Sequence, residues 1–193
     1  MFNDISSPAA LAATRRSGKP RDMVAPGPDD AQLRAILEAA IRVPDHGKLA
    51  PWRLVVIEGE ARLAAGEKLA NLAARRSPGI DEASLDIERK RFLPAPLTIV
   101  VISAAQPHPK VPELEQVLSA GNVAFNLLHG AYALGYAGLW VTRWYAFDQE
   151  AAAVLGARPG EQIIGVISIG TPSAVIEDRP RPSLADVVSR WQA

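Results

Sequence analysis

The sequence predicts a single domain, residues 1–193, that mixes helices and strands. Three observations carry this. The chain has 193 residues, within the roughly 100–200 of one domain. Segments of helical period alternate with short β-branched runs. The 16 prolines fall between these segments and punctuate them. Alternation by itself points to a doubly wound parallel sheet. The phosphate fingerprints that usually accompany such a sheet, G-x-G-x-x-G and G-x-x-x-x-G-K-[ST], are missing.

Pro26 and Pro28 precede a first helix that starts at Asp29 as N-cap. Leu33, Ile36, Leu37, Ala40 and Ile41 form its apolar stripe, and Pro44 stops it. Pro51 and Trp52 lead into Leu54-Val55-Val56-Ile57, a continuous run expected as a buried strand closed by Gly59. Residues 60–76 read as a helix. Ser77-Pro78-Gly79 is a turn, and the charge-rich segment 81–92 is expected to be an exposed helix or a mobile lid.

Pro94 and Pro96 bracket the entry to the second strand, Leu97-Thr98-Ile99-Val100-Val101-Ile102. Residues 112–134 give the longest helical pattern. Leu114, Val117, Leu118, Phe125 and Leu128 are its expected buried face, and Gly121 and Gly130 would admit a close second helix. Gly135 ends it. A third strand follows over 136–143, a short helix over 148–155 ending at Gly156, and a fourth strand over 162–169. A polar, proline-rich passage, 172–182, leads to a last short helix over 183–190.

Lys plus Arg and Asp plus Glu number 21 each, so no global field draws in nucleic acid or an anionic membrane. Any anion site must be local. The chain has no cysteine, which excludes disulfides, thiolate metal sites and a cysteine nucleophile and points to the cytoplasm. Apolar runs are far shorter than a membrane span, and the first 15 residues lack a basic stretch ahead of an apolar one. A soluble, unprocessed protein is expected. The three histidines have no carboxylate cluster at ligand spacing, so no metal is expected. A hydrolase triad is not indicated without a G-x-S-x-G elbow.

Arg15-Arg16-Ser17-Gly18-Lys19-Pro20-Arg21 sets four cations and a hydroxyl within seven residues. Such a segment suits a phosphate, and it equally suits a solvated arm. Arg42-Val43-Pro44-Asp45-His46-Gly47 follows a helix, where functional side chains are often displayed. Arg42 holds an anion there or offsets the helix C-terminus, and His46 serves a ligand or pairs with Asp45. Trp140-Val141-Thr142-Arg143-Trp144 mixes flat aromatics with donors at a strand end, and Arg179-Pro180-Arg181-Pro182 adds a stiff cation pair.

These pieces, in order, resemble the nitroreductase family of flavin enzymes, in particular its short-chain branch of NAD(P)H nitroreductases. The resemblance runs from Arg15-Arg16-Ser17 through Arg42-Val43-Pro44-Asp45-His46, Pro51-Trp52 and Pro94-Ala95-Pro96. It continues through His108-Pro109-Lys110-Val111-Pro112-Glu113, Glu115 and Ser119-Ala120-Gly121 to the segment 133–140 and Gly170-Thr171-Pro172. It implies an α+β fold with an antiparallel sheet flanked by helices, in an interlocked homodimer that holds FMN at the subunit interface. It further implies hydride transfer from NADPH or NADH to nitro compounds, quinones or similar small acceptors by a ping-pong mechanism. A flavin carrier or sensor without turnover would use the same binding residues.

By the same resemblance Arg15, Arg16 and Ser17 are the FMN-binding triplet, and Arg42 and His46 are the flavin-contacting pair. Trp140, Val141 and Thr142 align with a later flavin-contacting segment. The branch carries arginine where this chain has Val141, and Arg143 is the substitute considered. Lys19 matches a lysine near the flavin in longer members, and Arg181 lies in a stretch resembling a phosphate-binding tail. Ala50 stands where a polar residue is common, so one expected ring hydrogen bond lacks its side chain. No catalytic side chain is implied, because the cofactor carries the redox chemistry.

Overall fold

The computed structural model describes residues 2–192. They form strands β1 (Met23–Val24), β2 (Trp52–Glu58), β3 (Leu97–Ser103), β4 (Ala137–Val141) and β5 (Gln162–Pro172). The α-helices are α1 (Pro8–Thr14), α2 (Asp30–Ala40), α3 (Ala61–Arg76), α4 (Glu82–Arg89), α5 (Glu113–Ala133), α6 (Gln149–Val154) and α7 (Leu184–Val187). All pairings are antiparallel, in the order β1-β5-β3-β2 with β4 also on β5. The class is therefore α+β, as the family resemblance implies, and the parallel sheet suggested by alternation does not form.

The connections explain why. A single crossover helix returns the chain to the start of its strand and gives a parallel neighbour. Between β2 and β3 there are two helices, α3 and α4, so the chain comes back to the end it left. Between β4 and β5 the one α-helix among the described residues, α6, has 6 residues and spans about 9 Å. That is too short to recross a sheet.

β3 is the central strand, buried at every residue. Ile99 and Val101 face a layer made by α2 and α5, while Val100 and Ile102 face a layer made by α3 and α6. β2 pairs only with β3, and of its residues only Ile57 is buried. The expected buried strand is a half-covered edge. The α2 N-terminus forms as its sequence predicts, with Asp29 and Gln32 in a reciprocal capping box.

The charged segment is helix α4, held against α3 rather than free. A Cβ added at Gly66 would stand 2.0 Å from the Arg89 carbonyl oxygen, so only glycine permits this approach. On α5 the expected buried face is largely reversed. Leu114, Leu118 and Phe125 are exposed, at 67%, 58% and 44%, and Leu128 alone of the predicted set is buried with Ala120, Ala124, Leu127 and Ala131. Small residues let the helix lie close on the sheet, which leaves the large ones outside. Gly130 meets α2 at Ile36, whereas nothing lies within 4 Å of a Cβ at Gly121. The last predicted helix is confined to α7, and α1 and β1 were not anticipated.

Candidate functional site

The basic segment is shaped by its neighbours. Ser7 caps α1, and at the helix's end Asn3 clasps Arg16. The Arg16 N–H donates to Asn3 Oδ1 at 2.8 Å, and Asn3 Nδ2 donates to the Arg16 carbonyl at 3.1 Å. The chain then runs beside β4, and the Gly18 N–H donates to the Gly138 carbonyl at 3.0 Å. The Tyr132 hydroxyl donates to that same carbonyl at 3.2 Å. A side chain at Gly18 would meet Met23 Cε at 2.9 Å.

This contact opens a cavity of about 870 Å³ along β4, within the usual range for cofactor sites. Arg15, Arg16, Ser17 and Lys19 line one wall, and Phe125, Leu128, Leu139, Trp140, Val141 and Thr142 line another. Seven of the eleven residues singled out in the sequence thus converge here. Arg15 Nη1 donates to Ser17 Oγ at 3.4 Å, and Arg16 donates to the carbonyls of Ser17 and Glu177, each at 3.0 Å. Neither arginine forms an ion pair among the described residues. The cavity lining also includes Asp22, Glu177 and Asp178.

Burial raises the Tyr132 hydroxyl pKa, and the nearby Arg15 guanidinium partly offsets this. Burial also lowers the pKa of His129, with Arg15 adding to the effect. Its Nε2 is buried without a hydrogen-bond partner, and its ring lies tilted by 47° against Phe125, with 4.3 Å between ring centroids. Both groups stay neutral near pH 7 beneath the cationic wall. The indole of Trp140 is fixed by a 3.2 Å hydrogen bond from Nε1 to the Ile164 carbonyl.

Four expected residues do not line the cavity. Arg181 reaches its rim and donates to the Arg15 carbonyl at 3.4 Å, but it also lies 3.8 Å from Asp178. Arg143 faces a different cavity, described below. Arg42 and His46 lie elsewhere. His46 Nδ1 is 2.7 Å from Glu115 Oε2, and Glu115 to Leu128 is about 20 Å along the α5 axis at about 1.5 Å per residue. The loop bearing His46 is strained, with positive φ at Gly47, Lys48 and Ala50. Asp45 holds it by accepting from the N–H groups of Leu49 and Ala50 at 3.1 and 2.8 Å. Non-glycine residues in this conformation cost about 1–3 kcal/mol each and concentrate at functional sites. Phe125, Leu128, Leu139 and the tail residues 174–178 line the cavity without having been singled out as site residues, and Arg179 of the expected cation pair joins them. The only signal for Phe125, Leu128 and Leu139 was apolar periodicity, and the tail residues carried none.

Comparison with known proteins gives a consistent result. The model of the Nitroreductase family matches residues 12–171. The chain is 33% identical over 162 residues to YdjA of Escherichia coli (strain K12), assigned by name to the NAD(P)H nitroreductases, covering 84% of this chain and 86% of that protein. A protein of Haemophilus influenzae with a like assignment is 35% identical over 162 residues, covering 83% and 86%. Among solved structures, a nitroreductase-like family protein from Bacillus cereus superimposes with a TM-score of 0.82 at 20% identity, over 100% of this chain and 98% of that one. A nitroreductase with bound FMN from Bacteroides fragilis gives 0.69 at 19% identity, over 94% and 96%.

Proposed function

The chain belongs to the nitroreductase family, and from that premise we propose that it is an FMN-dependent oxidoreductase moving hydride from NADPH or NADH to nitro compounds, quinones or similar small acceptors. The observation that carries this reading is the cavity along β4. In a chain with 21 basic and 21 acidic residues, it gathers Arg15, Arg16 and Lys19 opposite Trp140 and Leu139. A flavin phosphate is a dianion and its ring is flat and mostly apolar, so both ends find a matching wall.

Arg15, Arg16 and Ser17 hold the phosphate by charge-assisted hydrogen bonds, and Lys19 adds positive charge on the way to β4. Trp140 and Thr142 border the ring. Bound FMN supplies reversible two-electron transfer, so donor and acceptor take turns at one site and no protein residue of unusual acidity is required. Cations near the ring favour its reduced, anionic form.

Arg42 and His46 reach such a site from a second copy of the chain. The exposed stripe Leu114, Leu118 and Phe125 on α5, and the exposed Leu184, Val187, Val188 and Trp191 of the tail, suit an extensive homodimer interface. The same reading includes a cytoplasmic location. No helix among the described residues is long and apolar enough to cross a membrane. Purified protein should be yellow and should bleach anaerobically on addition of NADPH or NADH. Flavin that binds yet stays oxidised would contradict the enzymatic reading and favour a carrier.

A further inference from the structure

A second cavity, of about 530 Å³, adjoins the first. The two share Lys19, Arg21, Leu139 and Val141. Strand alternation assigns their other walls. Leu139, Val141 and Arg143 all line the second cavity, whereas Trp140, on the opposite face of β4, packs against the α2–α5 layer. Val166 and Ser168 of β5 complete the floor, and Phe92, Pro94 and Tyr145 form a side wall.

The charges around this cavity are unbalanced. Arg91 is paired with Glu88, and Arg21 lies 3.8 Å from Asp22. Among the described residues Arg143 and Lys19 have no side-chain hydrogen bond or ion pair, and neither does the Ser168 hydroxyl have a hydrogen bond. Directly across from Ser168, Thr98 is wholly buried and its Oγ1 has no partner. An apolar floor carrying an unused hydroxyl and edged by unpaired cations is complementary to an amphipathic anion.

We propose that this second cavity binds a small aromatic or branched organic carboxylate, with its apolar body on Leu139, Val141 and Val166 and its carboxylate toward Arg143. The site stands on its own geometry. A role as the place where an acidic electron acceptor is held beside the main cavity rests on the proposed function above.

Benzoate tests it, titrated by calorimetry into the full-length protein as purified and supplemented with saturating FMN. Benzamide serves as the uncharged isostere and inorganic phosphate as the bare anion. Benzoate should bind one site per chain, at least about tenfold more tightly than either control, since a charge-assisted hydrogen bond and apolar burial each contribute that much. Arg143→Gln should weaken benzoate about tenfold or more and leave benzamide unchanged, while Arg75→Gln, at an exposed cation on α3, should change nothing. Benzamide binding as well as benzoate, phosphate binding as well as benzoate, loss of benzoate binding on adding FMN, or indifference to Arg143→Gln would each overturn the proposal. Because the readout is binding, protein that holds benzoate but no FMN would defeat the proposed function and leave this site intact.

Discussion

The Gly18 N–H and the Gly138 carbonyl, 3.0 Å apart, join the basic N-terminal segment to the free edge of β4. That single backbone hydrogen bond sets the cationic wall against the aromatic one. A Cβ at Gly138 would lie 2.7 Å from Leu128 Cδ2, so a side chain there would have to displace the end of that leucine. The site is thus defined by this backbone contact as much as by the charged residues on view.

Trp140 depends on a similar approach. A Cβ at Gly165 would lie 2.0 Å from the indole Nε1, and the rigid ring cannot yield without leaving its place. Gly165→Ala should cost about 1–3 kcal/mol, as overpacking usually does, and should weaken FMN binding by displacing Trp140. Urea denaturation and flavin titration of the variant check both effects.

The Arg53–Glu161 pair governs acid stability. Arg53 Nε and Nη2 donate to the Glu161 carboxylate at 2.8 and 2.5 Å, and Arg53 holds the Glu161 pKa down at about 2 against an ordinary 4.5. A depressed carboxylate pKa means that the unfolded chain takes up the proton first as pH falls. The stabilisation is complete above about pH 4.5 and disappears as pH falls through about 2. Glu161→Gln should lower stability by about 1–3 kcal/mol at pH 7 and flatten the denaturation curve across that acid window.

Helix α4 stays docked only while Gly66 lacks a side chain. Gly66→Ala must push the Arg89 carbonyl away, at a cost of about 1–3 kcal/mol. Hydrogen exchange should show α4 amides losing protection while β3 amides keep theirs. Unchanged exchange in α4 would contradict the packing described.

How much of this was legible in the sequence depended on whether the signal was local. The α2 cap was, because Asp29 and Gln32 answer each other within one turn. The basic triplet was legible as a cluster, and its order with later motifs carried the family resemblance. The orientation of α5 was not, because that helix has apolar residues on both sides and the sequence does not say which side meets the sheet. Nor was the separation of Val141 and Arg143 from Trp140, which needs the true extent of β4. His46 pairs with Glu115, 69 residues away, a contact that no spacing rule announces.

The exposed face of α5 gives a further expectation. Leu118 is 58% exposed on the same stripe as Leu114 and Phe125, so on the homodimer proposed above a charge there should prevent a second copy from docking. Leu118→Glu should convert a dimer to a monomer in sedimentation and release FMN. A Leu118→Glu protein that remains dimeric would place the interface elsewhere.

The cationic wall along β4 is tested most directly by titrating FMN and riboflavin into the apo forms of the wild type and of Arg15→Ala. Loss of one charge-assisted hydrogen bond, about 1.5–3 kcal/mol, should weaken FMN about 10- to 150-fold and leave riboflavin, which lacks the phosphate, unaffected. FMN affinity unchanged within about twofold, the usual outcome for a solvated surface charge, or an equal loss for both ligands would contradict a phosphate site at Arg15.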